Sequence, residues 1–153
     1  MILHTFSDGG ARGNPGPAAI GVVLCEPDGK IVHEFAECIG AMTNNKAEYR
    51  AMLKALELAK ARKATRLIAH GDSELIIFQL QGLYRIKNPD LRTLAEKVKS
   101  VASAFEAVDW KQVPREHPMI SRADKLLNQA LNRQKSRGAL IPAVQKPPQG
   151  ELF

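Results

Sequence analysis

Hydrophobic positions near the start of the chain come in short, almost continuous runs broken by turn residues, and from about position 44 they recur three and four apart. The first pattern belongs to buried strands and the second to helices that bury one face. Residues 2–7 predict a strand, 18–26 a second and 31–39 a third, with Pro27, Asp28, Gly29 and Lys30 closing a hairpin between the last two. Asn44 or Asn45 is placed to cap a helix running to about Arg62, whose apolar face is Ala47, Ala51, Leu53, Ala55, Leu56, Leu58 and Ala59. Residues 66–70 predict a fourth strand, which must cross back over that helix and so run parallel to strand 1. A short helix over 73–81, a basic loop over 82–88, a helix over 89–105 with proline in its first turn, a strand over 107–112 and a helix over 121–137 complete the order βββαβααβα. That order predicts an α/β fold, a mixed sheet with helices on its faces.

At 153 residues the chain fits one domain, assigned to 1–137. Residues 138–153 carry Pro142, Pro147, Pro148 and Gly150 with little apolar patterning, the composition of a flexible tail. Formal net charge is +6, and from Lys111 onward 8 Lys/Arg stand against 3 Asp/Glu, so the anionic partner that this charge favours is expected on the C-terminal third. Cys25 and Cys38 lack metal-ligand spacing and read as small buried residues of a reducing compartment. No apolar run is long enough to span a membrane and no leader precedes the first strand, so a soluble cytoplasmic protein is expected.

The candidate chemistry begins at Asp8, where an apolar run ends on a carboxylate and Gly9, Gly10 and Gly13 follow, reading as a strand end beside a glycine-rich turn. An Asp-Gly hairpin turn is the bland alternative. Three more acids sit at element ends: Glu48 in Thr43-Asn44-Asn45-Lys46-Ala47-Glu48, Asp72 in His70-Gly71-Asp72-Ser73, and Asp124 after Val113-Pro114-Arg115-Glu116-His117. Each has an ordinary reading: Glu48 as a capping-box partner of Asn45, Asp72 as a helix cap, and Asp124 as an acid near a helix N-terminus. Four carboxylates with no cysteine or histidine pair suit a hard cation with oxygen ligands, Mg²⁺ or Mn²⁺ rather than zinc. In order and spelling the four segments resemble the active-site motifs of the ribonuclease HI family, type 1 ribonuclease H, over residues 2–133.

That resemblance implies a ribonuclease H-like sheet of five strands, ordered 3-2-1-4-5 with strand 2 antiparallel to the rest. It also implies an endoribonuclease acting on the RNA strand of RNA/DNA hybrids with two Mg²⁺ ions per site and Mn²⁺ as the alternative, leaving 5′-phosphate and 3′-hydroxyl ends. Asp8 would bridge both ions, Asp124 would help hold the ion that activates water, and Glu48 and Asp72 the ion facing the leaving oxygen. Gly9, Gly10, Arg12 and Asn14 would offer groups to the hybrid, as would Asn44 and Asn45, with Thr43 meeting a DNA-strand phosphate. A hybrid-binding module without catalysis, a junction resolvase and a nuclease of double-stranded RNA stay open as alternatives on the same fold.

The chain also departs from the familiar pattern. Many bacterial members have a basic handle between the third and fourth motifs, but here residues 82–88 supply only Arg85 and Lys87, which moves the expected grip toward Lys125 and Arg133. Arg115, which matches an arginine of the archaeal and plant-type branch, is the first auxiliary candidate, since guanidinium suits a phosphate oxygen, and His117 is the second. Glu74 stands where several relatives carry glutamine. Tyr84 could stack on a base, whereas Trp110, in a strand, reads as core. The terminal Gln149-Gly150-Glu151-Leu152-Phe153 resembles the peptide by which bacterial proteins dock on the sliding clamp, with Gln149, Leu152 and Phe153 as anchors on an otherwise monomeric protein.

Overall fold

A computed structural model describes residues 1–140, with side chains through residue 137. The described elements are β1 (Ile2–Ala11), β2 (Gly16–Cys25), β3 (Ile31–Met42), α1 (Asn44–Ala61), β4 (Arg66–Gly71), α2 (Glu74–Leu80), α3 (Pro89–Ala102), β5 (Ala107–Gln112) and α4 (Pro118–Leu140). They build a single five-stranded sheet in the order β3-β2-β1-β4-β5. β2 runs antiparallel to β1 and β3, while β4 is parallel to β1 and β5 to β4, as expected.

Helices cover both faces. On one, Leu3, Val22, Leu24 and Leu67 of the sheet pack with Tyr49, Met52 and Leu56 of α1 and with Leu91, Ala95 and Val98 of α3. On the other, Phe6 and Val23 pack with Ile120 and Ala123 of α4. Period-2 alternation along β1 produces this split, sending Leu3 one way and Phe6 the other. Beside Phe6 lies a row of rings. His70 stacks on Phe6 at 4.2 Å, His117 on Phe6 at 5.0 Å, and His4 Nδ1 meets His70 Nε2 at 3.0 Å. His70 is 5% exposed and its Nδ1 has no partner, so burial lowers its pKa to about 4.

Several local expectations need correction. β1 does not stop before Asp8 but continues through Gly9 and Gly10 to Ala11, paired with β2 throughout; the chain reverses only between Arg12 and Pro15. Thr43, not Asn44 or Asn45, caps α1, its Oγ1 accepting from Lys46 N at 3.3 Å. Tyr49 and Met52 join the buried face of α1, with Leu53 and Leu58 only half-buried; Tyr49 donates to Gln79 Oε1 at 2.6 Å inside the core. α4 starts at Pro118, before the expected Ser121, because His117 Nδ1 accepts from Met119 N and the proline suits a first turn. It continues past residue 137 to Leu140, so the start assigned to the tail falls within a helix.

Cys25 and Cys38 are free thiols, the first buried and the second half-buried. Among the described residues no helix is long and apolar enough to cross a membrane. The clamp-like peptide with Gln149, Leu152 and Phe153 lies outside the described residues.

Candidate active site

β1 outruns its neighbour. Its pairing with β4 ends at Phe6 and His70, and β4 itself ends at Gly71, whereas on the other flank β1 stays paired with β2 as far as Ala11 and Ala18. Beyond Phe6, therefore, one flank of β1 opens into a cleft at the carboxyl ends of two parallel strands, the usual ligand crevice of an α/β sheet. The cleft measures about 660 Å³ and has Asp8, Glu48, Asp72 and Asp124 in its lining.

Two glycines let helices deliver acids to this point. A Cβ at Gly9 would overlap the Ala47 carbonyl of α1, so its absence admits the helix against the strand, and Gly9 N then donates to Glu48 Oε1 at 2.6 Å. Gly21 faces Asp8 across the β1–β2 ladder, and a Cβ there would overlap the Ala123 carbonyl. α4 can consequently lie directly on the sheet one residue before Asp124. Asp72 leaves the end of β4, and Gln112 Nε2 donates to its carbonyl at 3.3 Å.

One oxygen from each of Asp8, Glu48 and Asp72 lies within 4.8 Å of the others, an arrangement that could hold a metal ion. Such crowding shows in their proton affinities. Asp8, 6% exposed, has its pKa raised to about 7, first by burial and then by the charges of Asp72 and Asp124; a hydrogen bond with Glu48 opposes the rise. Glu48 is pushed well above the ordinary carboxylate range by burial and by Asp8, the Gly9 amide opposing.

The ordinary readings of three acids do not hold. Ser73, not Asp72, caps α2, its Oγ accepting from Ile76 N. Glu48 bonds to Gly9 across 39 positions of sequence rather than back to its own helix start. Asp124 lies beyond the first turn of α4, past the reach of the helix-end field.

Gly9, Gly10, Arg12, Asn44 and Asn45 line the same cleft, while Asn14 and Thr43 line an adjoining pocket that shares Asn44 and Asn45. The loop after β1 is tied down: Ala11 N donates to Asn44 Oδ1 at 2.9 Å and Asn44 N to Asn14 Oδ1 at 3.0 Å. Arg12 donates to Asn132 Oδ1 at 2.7 Å and to Asn128 Oδ1 at 3.3 Å on α4. Those two asparagines, like Gly21 and Gln112, were missed in the sequence; the 128/132 spacing on one helix face was the available sign for the pair.

Arg115 lines the cleft and pairs with Asp72 Oδ2 at 3.6 Å. His117, expected as a second auxiliary group, is absent from the cleft lining, because its ring caps α4 and lies on Phe6. Glu74 is exposed in the first turn of α2. Tyr84 is 47% exposed with its ring edge-on to Phe78 at 5.1 Å, and Trp110 packs half-buried against the core.

The family described as reverse transcriptase-like matches residues 6–130. A ribonuclease HI of Caulobacter vibrioides is 32% identical over 86% of this chain and 94% of its own length. This chain belongs to the ribonuclease HI family. The ribonuclease HI of Halobacterium salinarum is 42% identical over 85% of this chain, which spans 64% of that relative's length. Among solved structures, RNase H1 from Halobacterium salinarum NRC-1 superposes with a TM-score of 0.84 at 41% identity, covering 87% of this chain and 99% of that one. LC11-RNase H1 in complex with RNA/DNA hybrid superposes with a TM-score of 0.82 at 37% identity, covering 87% and 99%. The strand order found here is thus that of the ribonuclease HI fold, and the acidic cluster belongs to a family that uses divalent metals.

Proposed function

We propose that this chain is a metal-dependent endoribonuclease that cleaves the RNA strand of RNA/DNA hybrids, leaving 5′-phosphate and 3′-hydroxyl ends. The observation that carries the reading is the meeting of Asp8, Glu48, Asp72 and Asp124, drawn from a strand, two helices and a strand-to-helix junction, in one polar cleft. A binding module gains nothing from such an arrangement, since buried acids in close contact repel one another and repel a phosphate.

The donor set fits a pair of hard divalent cations, Mg²⁺ or Mn²⁺: it offers oxygen alone, and burial together with the neighbouring acids raises the Asp8 pKa to about 7. Such ions, when bound, activate water and neutralise charge on the phosphate and the leaving oxygen. Asp8 is the hub, since Glu48, Asp72 and Asp124 all act on it. Glu48 is oriented by the Gly9 amide, and Asp72 and Asp124 line the same cleft. Arg115 offers a guanidinium to the scissile phosphate from the cleft rim.

The groups that tell hybrid from pure duplex must read 2′-hydroxyls on one strand and accept deoxyribose on the other. Gly9, Gly10, Arg12, Asn14, Asn44 and Asn45 serve this role along the joined pockets, and Thr43 takes a phosphate of the DNA strand. The enzyme works as a cytoplasmic monomer. Its terminal Gln149, Leu152 and Phe153 dock on a bacterial sliding clamp, a reading that rests on the peptide's sequence and is tested by calorimetry with and without residues 149–153.

End-labelled hybrid, duplex RNA, duplex DNA and a four-way junction, each with Mg²⁺, Mn²⁺ or chelator, test the activity. Metal-dependent cutting of the hybrid's RNA strand, lost in Asp72→Asn, is expected. Preference for the junction or for duplex RNA would select another nuclease, and binding without cutting would select a passive module.

A further inference from the structure

The acidic centre has one internal counter-ion in the metal-free protein: Arg115, the one cation among the described residues that forms an ion pair with the cluster. Arg12 also lines the cleft but spends its hydrogen bonds on Asn128 and Asn132. The Arg115–Asp72 pair is lopsided: the Asp72 side chain is 12% exposed and that of Arg115 82%. The acid is fixed in the cleft and the cation reaches in from solvent.

The backbone under Arg115 is pinned. Val113 N donates to Gly71 O at 2.9 Å, and Ser121 Oγ donates to the Arg115 carbonyl at 3.3 Å. Leaving Asp72 therefore requires rotation of one long side chain and no movement of the loop.

We propose that Arg115 is a counter-ion latch: its guanidinium occupies Asp72 until a divalent cation displaces it, and the displaced group becomes a free cation at the cleft rim. The latch rests on the metal-site reading given above. It makes Arg115 a competitor of the metal first and a partner of substrate second, so metal loading and phosphate capture are coupled through a single side chain. Two cations sharing one carboxylate repel each other, and Asp72 cannot give full strength to both. An ion pair whose cation is this exposed holds back metal by a factor of about two to five.

Calorimetric titration of Mg²⁺ into the substrate-free protein tests it, comparing wild type with Arg115→Gln, Arg12→Gln and Asp72→Asn. Arg115→Gln should tighten Mg²⁺ binding about two- to five-fold. Arg12→Gln removes the same charge from the same cleft without freeing Asp72, and should change the affinity less than half as much on a logarithmic scale. Equal affinity in Arg115→Gln and wild type, weaker binding in Arg115→Gln, or equal gains in the two arginine variants would overturn the latch. Binding in wild type that survives Asp72→Asn unchanged, or no binding in wild type, would remove the metal reading and the latch with it. A second readout is the Arg115 Nε–Hε resonance, which should move with the same midpoint as the calorimetric titration; a resonance indifferent to saturating Mg²⁺ would refute displacement whatever the affinities.

Discussion

The two halves of β1 place similar polar matter in opposite circumstances. In the first half, between β2 and β4, His70 of the neighbouring strand is buried neutral against Phe6 and His4, and the sheet is closed on both flanks. In the second half, where β4 has ended, Asp8 stands beside three further acids with a flank open. A protein region selected for stability buries what it can neutralise, while this cleft keeps charges that cost stability and are useful only when something else arrives.

The sharpest way to break that contrast is Asp8→Asn. Hydrolysis of hybrid should fall about 10³-fold or more, the loss of several kcal/mol of transition-state stabilisation. The same variant should melt several degrees higher than wild type in chelator at pH 7.5, at about 2–4 °C per kcal/mol for a chain of this size. A lower melting temperature would mean that the acids support the fold, and the comparison would collapse.

Next in size is Gly9→Ala. Its new Cβ meets backbone of α1, which cannot give way as a side-chain tip would, so a cost of about 1–3 kcal/mol is expected by chemical denaturation. Mg²⁺ affinity should drop as well, because Gly9 N orients Glu48. Stability loss with unchanged metal affinity would separate packing from site assembly.

The pH dependence of the metal-free protein sharpens the comparison further, since the two halves have opposite slopes. The folded state holds the Asp8 proton from the ordinary 3.8 up to about 7, so stability from this group is full below pH 4 and is lost as pH rises through 7. His70 has its pKa lowered from 6.5 to about 4, so its share is full above 6.5 and is lost as pH falls toward 4. In denaturation series across pH 4–7, Asp8→Asn should leave the His70 slope, stability rising with pH, and His70→Phe should leave the Asp8 slope, stability falling with pH.

The smallest effect is expected at neutral pH in His70→Phe itself. It removes an unpartnered buried nitrogen and one hydrogen bond with His4, contributions of about 1 kcal/mol each and opposite sign, so its melting temperature at pH 7.5 should stay close to that of wild type.

Element order was legible, as were the bounds of β4 and β5 within a residue, because apolar runs and helical spacing report burial directly. The four acids were legible only as separate motifs, and joining them needed the resemblance to ribonuclease HI. What stayed hidden was tertiary in origin. Gly9 read as the start of a turn, yet it is a strand residue kept bare for a helix 38 positions away, a distance no local signal spans. Asn44 looked like the cap of α1, but its side chain is engaged by Ala11 and the capping falls to Thr43. His117 looked catalytic on a loop and proved to be the cap that starts α4 three residues early. Arg115 was expected to face phosphate, and its present partner, Asp72, became visible only in three dimensions.

Asp8 hangs from a ladder of strand pairs rather than from a loop, and α1 and α4 are seated on the same ladder through bare glycines. Among the described residues no loop stands between Asp8, Glu48 or Asp124 and the elements that carry them, so the centre has no private way of coming apart. On slow heating, loss of turnover and loss of the native far-ultraviolet signal should trace one curve, with no interval in which a folded protein has already gone silent.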